Sequence, residues 1–138
     1  MIRLMLLRHA KSSWAEAGMA DADRPLAPRG RRAAAAMAGW MAAGGCLPDR
    51  ILCSPARRTR ETLDALLPLL PDPGIVEIVP ELYESPSSDY RGPIAAAGGR
   101  AARLLVIGHN PVLQATALLF AGAGDRETRG RMAAKFPA

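Results

Sequence analysis

A chain of 138 residues, 49% hydrophobic and 22% charged, suits one domain with its own core and excludes a disulfide- or metal-stapled miniprotein. Its net charge of +5 comes from 16 arginines and only two lysines, beside 27 alanines. That mixture reads as compositional bias with a solvated basic surface, or as attraction for an anionic substrate, because arginine recognises phosphate bidentately.

Ile2-Arg3-Leu4-Met5-Leu6-Leu7 is a short apolar run ending in Arg8-His9, which predicts a buried strand. It is too short for the apolar part of a signal peptide. The polar stretch from Lys11 to Arg29 exceeds an ordinary connection, so it is expected to be functional or locally ordered. Alanine-rich residues 31–43 predict a helix stopped by Gly44-Gly45. Arg50-Ile51-Leu52-Cys53 predicts a second strand, and Ser54-Pro55 is expected to cap and open the next helix. That helix sets Leu63, Leu66 and Leu67 on one face and should stop at Pro68. A third strand is expected over 75–79, a weak helix over 89–97, a fourth strand over 103–107 and a last helix over 112–121. Cys46 and Cys53 lack a metal-binding or redox spacing and read as reduced thiols of a reducing compartment.

Strands alternating with helices predict an α/β fold, a mostly parallel sheet covered on both faces. The whole of 1–138 is expected to form a single domain. The longest uncharged run, 104–124, carries Gly108-His109-Asn110-Pro111 near its start and makes a poor membrane span. Six aromatic residues without basic interleaving, and no helix-turn-helix or zinc-finger spacing, argue against a nucleic-acid partner. The expectation is a cytoplasmic protein with no membrane partner, and its oligomeric state is left open.

In parallel sheets, sites gather beyond the carboxyl ends of the strands. Both histidines of the chain, His9 and His109, sit at such ends, and so does Ser54. A guanidinium beside an imidazole disfavours a metal cation but suits an anion. Arg8 is therefore expected to hold phosphoryl oxygens while neutral His9 attacks phosphorus. The helix after Ser54 brings Arg57, Arg58 and Arg60 toward the same place, and the free N–H groups of its first turn favour an anion there. Gly108 is expected to allow close backbone approach to a ligand, with His109 donating to a phosphoryl oxygen. Two histidines and two arginines around one tetrahedral anion supply the charge stabilisation of phosphoryl transfer. No metal and no cofactor are called for.

The motifs LLRHAKSSW (6–14), DRPLAPRG (23–30), ILCSPARRTRETL (51–63), ELY (81–83) and VIGHNP (106–111) occur in one order. In that order the chain resembles the histidine phosphatase superfamily, and most of all its SixA-type phosphohistidine phosphatases. The resemblance implies a three-layer α/β/α, phosphoglycerate-mutase-like fold. It implies His9 as a transiently phosphorylated nucleophile, Arg8 as its phosphate-binding neighbour and His109 as the second phosphate-binding histidine. The spacing S-x-x-x-R of the family selects Arg58 among the three arginines. Lys11 and Ser12, in the loop after the nucleophile, are candidate substrate contacts.

The chain departs from the pattern at Ala10, where glycine is common, and at Glu61, where glutamine is frequent. Asn110 follows His109 instead of aspartate, so no proton donor of the mutase or acid-phosphatase type is in place. Glu84 is the nearby candidate for donor or substrate contact, with a surface carboxylate as its other reading. A weak or absent acid suits phosphohistidine better than an ordinary monoester, whose leaving group needs protonation. The expected activity is hydrolysis of phosphohistidine, with a phosphohistidine protein as a candidate partner, or of small phosphoesters, through a phosphohistidine enzyme intermediate. A mutase-like phosphoryl transfer and a phosphate-binding module without turnover are the alternatives. Members of this type continue into one more strand, which makes the chain, ending at Ala138, a candidate for C-terminal truncation.

Overall fold

The computed structural model describes residues 2–84 and 88–122; the chain end, where C-terminal truncation was the expectation, lies outside them. The four apolar runs become strands β1 (Arg3–Arg8), β2 (Arg50–Cys53), β3 (Val76–Ile78) and β4 (Arg103–Gly108). They pair in parallel in the order β1-β4-β2-β3. The chain thus builds β2 and β3 outward and then returns to insert β4 between β1 and β2. Register sets Arg8 beside Gly108 and Cys53 beside Ile107, so the carboxyl ends of β1, β4 and β2 are level.

Both faces are covered, as the near-continuous apolar strands require. On one face Ala38 and Met41 of helix α1 (Pro28–Ala43) and Leu63 of helix α2 (Arg57–Asp64), followed by Leu66, pack on Ile51, Cys53, Leu105 and Ile107. On the other, Leu52, Leu104 and Val106 meet Leu82, Tyr90 and Leu113. Helix α3 (Arg91–Ala97) adds Ile94, and helix α4 (Val112–Ala121) supplies Leu113. Each fully buried aliphatic side chain contributes about 1.5–3 kcal/mol, and β4 buries four in succession, from Leu104 to Ile107.

Three helix starts differ from the sequence expectation, that of α3 by two residues, at Arg91. Helix α1 begins at Pro28, three residues early. Proline fits the first helical position because its fixed φ is already helical and its missing N–H would be unpaired there anyway. Helix α2 begins at Arg57, and its N-cap residue Ala56 makes no side-chain cap. The Ser54 hydroxyl does accept from Ala56 N at 3.3 Å, but it also meets the His109 ring. The α2 helix also ends early, at Asp64, and a 3-10 turn over Leu67–Leu69 carries Pro68.

The long polar stretch is locally ordered. Ser12 bridges Leu26 in antiparallel fashion, Ala27 N donates to Lys11 O at 2.8 Å, and Asp21–Asp23 form a 3-10 turn. Glu61 holds this loop to α2 by accepting from Leu26 N at 3.1 Å, between the side chains of Arg31 and Arg57. A carboxylate serves that cationic position well, which accounts for the departure at Glu61.

Candidate active site

The level ends of β1, β4 and β2 deliver His9, His109 and Ser54 to one place. A cleft of about 840 Å³ opens there, lined by Arg8, His9, Lys11, Ser12, Arg58 and His109 among others. Six of the seven residues expected at the site therefore share one cavity. Glu84 does not: it is exposed and is not part of the cleft wall.

His9 presents one nitrogen only. Its Nδ1 lies 2.8 Å from the Ala10 carbonyl. A carbonyl only accepts, so Nδ1 carries the proton and Nε2 keeps its lone pair. Arg58 Nε donates to that lone pair at 3.3 Å. Burial, with the charges of Arg58, Arg8 and Arg24 acting in the same direction, pulls the His9 pKa down to about 4 despite the Ala10 hydrogen bond. The ring is neutral and nucleophilic at pH 7.

His109 faces it, with ring centroids 5.3 Å apart. Burial first, then the charges of Arg58 and His9, hold its pKa at about 3. Its Nε2 is 2.8 Å from Ser54 Oγ. The Ser54 oxygen also accepts from Ala56 N, and a hydroxyl oxygen has a second lone pair to offer Nε2. A guanidinium only donates, so the 3.5 Å contact of Arg58 Nη2 with His109 Nδ1 leaves the lone pair on Nδ1 and puts the imidazole proton on Nε2, which donates to Ser54. Ser54, fully buried, thus fixes the tautomer and orientation of a neutral His109 ring. Ser54→Ala is expected to weaken inhibition by inorganic phosphate roughly tenfold, about the worth of a charge-assisted hydrogen bond, while the melting temperature moves little. Unchanged inhibition would remove this role.

Arg58 is 6% exposed and held by a residue that sequence reasoning missed. Its Nη1 donates to Asp21 O at 2.8 Å and its Nη2 to Asp21 Oδ2 at 3.0 Å. The Tyr83 hydroxyl donates to the same Oδ2 at 2.7 Å, and Arg24 Nε donates to Oδ1 at 3.1 Å. Asp21 therefore gathers the loop, α2 and the turn after β3 onto one carboxylate. The Tyr83 hydrogen bond, with Arg58 next, holds its pKa down at about 2. Tyr83 packs edge-on to His109, with centroids 5.6 Å apart, and its own pKa is raised by the bond to Asp21. The ELY motif signalled Tyr83, but nothing in the loop marked Asp21 over Asp23.

Arg8 lines the cleft, and its buried Nε has no partner among the described residues, which leaves a donor to be satisfied there. Gly108 has a different reason from the one expected. A Cβ there would come within 2.8 Å of the Tyr90 ring, so glycine makes room for Tyr90 and not for a ligand. The Tyr90 hydroxyl accepts from His109 N at 3.1 Å and donates to Leu82 O at 2.8 Å, fixing the backbone that carries His109.

The sequence matches the family model of the histidine phosphatase superfamily, branch 1, over residues 4–97, more than half of the chain. The chain belongs to that superfamily. As a histidine phosphatase it is a hydrolase, and its sheet and helices follow the phosphoglycerate-mutase-like plan. It is 37% identical over 133 residues to an uncharacterized protein of Mycobacterium tuberculosis, covering 95% of this chain and 81% of that one. Among solved structures, one from Agrobacterium tumefaciens assigned as the phosphohistidine phosphatase SixA superposes with a TM-score of 0.83 at 34% identity, covering 99% of this chain and 83% of that one. The protein histidine phosphatase SixA complexed with tungstate superposes with a TM-score of 0.70 at 27% identity, covering 88% and 78%.

Proposed function

We propose that this histidine phosphatase hydrolyses phosphohistidine, or another phosphoryl group on a good leaving group, through phosphorylation of His9. The observation that carries the reading is the neutral His9 ring with Nδ1 tied to Ala10 O and Nε2 facing Arg58 and His109. In the first step the Nε2 lone pair attacks phosphorus and the bond to the leaving nitrogen breaks; the substrate ring enters protonated on its other nitrogen, so the electron pair of the broken bond leaves on a neutral imidazole. Arg8, Arg58 and His109 share the charge on the phosphoryl oxygens. In the second step water attacks phosphohistidine-9, phosphate leaves and the His9 lone pair is restored. That a SixA relative is complexed with tungstate, a tetrahedral stand-in for phosphate, supports an oxyanion ligand. Cys53 is no rival nucleophile, because burial pushes its thiol up to about 12.

The preference for N–P bonds rests on the carboxylates. Asp21 is held ionised by Tyr83 and Arg58 and has no proton to give at neutral pH. Glu84 stands outside the cleft. Leaving groups that need no strong acid are therefore favoured. A phosphohistidine peptide is expected to exceed an alkyl phosphate by roughly a hundredfold or more in kcat/KM, with Glu84→Gln altering neither rate appreciably. Equal rates on the two substrates, or a hundredfold loss in Glu84→Gln, would overturn the preference.

Two free thiols, Cys46 and buried Cys53, support a reducing compartment such as the cytoplasm. No helix among the described residues is long and apolar enough to cross a membrane.

A further inference from the structure

The cleft holds more positive charge than one phosphoryl group uses. Arg8, Lys11, Arg24, Arg29 and Arg58 line it, and no aspartate or glutamate does, among the described residues. Two of the five are matched by Asp21, through Arg24 Nε and Arg58 Nη2. Arg8, Lys11 and Arg29 make no ion pair among the described residues, and Arg8 is already assigned to the phosphoryl group. Lys11 and Arg29 remain, both exposed on the rim beside the first turn of α1.

A second observation points the same way. Arg24 is 8% exposed, and its Nη1 is buried without a partner among the described residues. Its guanidinium is braced by Trp14, whose ring centroid lies 3.4 Å from Arg24 Cζ. Trp14 is 74% exposed and forms part of the same wall. A buried guanidinium with an unused N–H is costly unless something satisfies it. Burial of a cation is tolerated here by Asp21 on one side and an aromatic face on another.

From these residues we infer that the substrate carries a second anionic group beside the transferred phosphoryl, received at the Lys11–Arg24–Arg29 side of the cleft. The group is a carboxylate of an acidic peptide flanking the phosphorylated residue. Exposed rim cations suit a chain that continues into solvent, whereas a small two-anion ligand would draw its partners from the enclosed end. Trp14 gives that chain an apolar surface to cross. This inference rests on the phosphatase reading for the identity of the first anion.

The test measures binding without turnover. Three peptides carry a stable phosphohistidine analogue flanked by glutamate, glutamine or lysine, and calorimetry gives each Kd at low and high salt. The glutamate peptide is expected to bind tightest, by roughly two- to fivefold per exposed charge pair, with the advantage shrinking as salt rises. In Arg29→Glu the order should reverse in favour of the lysine peptide. A general loss of structure would weaken all three alike and could not reverse them. Equal Kd values in the parent protein, or an unchanged order in Arg29→Glu, would overturn the inference. So would a small linear bisphosphate that binds tighter than the glutamate peptide with the same Arg29 dependence, which would assign the second anion to a small molecule. Failure to hydrolyse phosphohistidine would show in rate assays instead, and would leave the order of Kd values as it was.

Discussion

His9→Ala is expected to reduce turnover by roughly five to six orders of magnitude, the scale seen when a covalent nucleophile is removed, while inorganic phosphate still binds. Arg8, Arg58 and His109 share the charge of the anion, but only His9 offers a lone pair on a neutral, fixed ring. Water in its place has no evident base beside it. Quenching the parent enzyme in alkali during turnover should trap acid-labile phosphate on His9. Substantial activity in His9→Ala, or phosphate on Ser12 or Ser54, would end the proposed mechanism. The same ring sets the acid limit of the reaction. Its pKa lies at about 4 in the free enzyme, and protonation below that value removes the lone pair. The kcat/KM on a substrate whose own charge is constant should therefore hold from neutrality downward and fall as pH drops through about 4.

Arg58→Ala should cost roughly two to three orders of magnitude in kcat/KM, as loss of a preorganised charge donor does, and it should have a second signature. Removing Arg58 takes away the cation at Asp21 Oδ2, where Tyr83 alone still donates, and the donor at the Asp21 backbone carbonyl, so a carboxylate with less positive charge around it is left facing the anion site. It also removes a charge that lowers the pKa of His9 and of His109. The acid limb should consequently move upward from about 4 toward the ordinary histidine range. Adding Asp21→Asn to Arg58→Ala should recover part of the phosphate binding by removing the repulsion. If the double variant is no better than the single, Asp21 does not act through charge at this site.

The strands and the two histidines were legible because their signals are local. An apolar run that stops at Arg8-His9, or at Gly108-His109, states both the strand and its end. Arg58 needed the family spacing, since Arg57 and Arg60 carry the same charge one and two residues away; only Arg58 is buried. Asp21 was not legible, because its partners Arg58 and Tyr83 are 37 and 62 residues distant and no periodicity connects them. Ser54 was read as a helix cap on sound local grounds. Its hydroxyl was claimed instead by His109, 55 residues away. The early start of α1 was legible in Pro28 and missed, because the proline was counted with the loop before it.

The contact between Lys11 and the start of α1 has a further consequence. Ala27 N donates to Lys11 O, a Cβ on Gly30 would lie 2.1 Å from that oxygen, and Ser12 pairs with Leu26. The two ends of the intervening stretch are thereby stitched together two residues beyond His9. Between them the chain passes through exposed residues and through Gly18 at a φ of 81°. Lengthening that excursion around Gly18, ahead of Asp21, costs only about 0.6 kcal/mol per doubling of the loop and leaves the nucleophile and the Asp21 anchor where they are. An insertion on the His9 side of the stitch, or between Leu26 and Gly30, shifts the whole reactive edge. The fold thus separates a segment whose length can drift, and with it the surface offered to substrates, from one whose residue count is fixed.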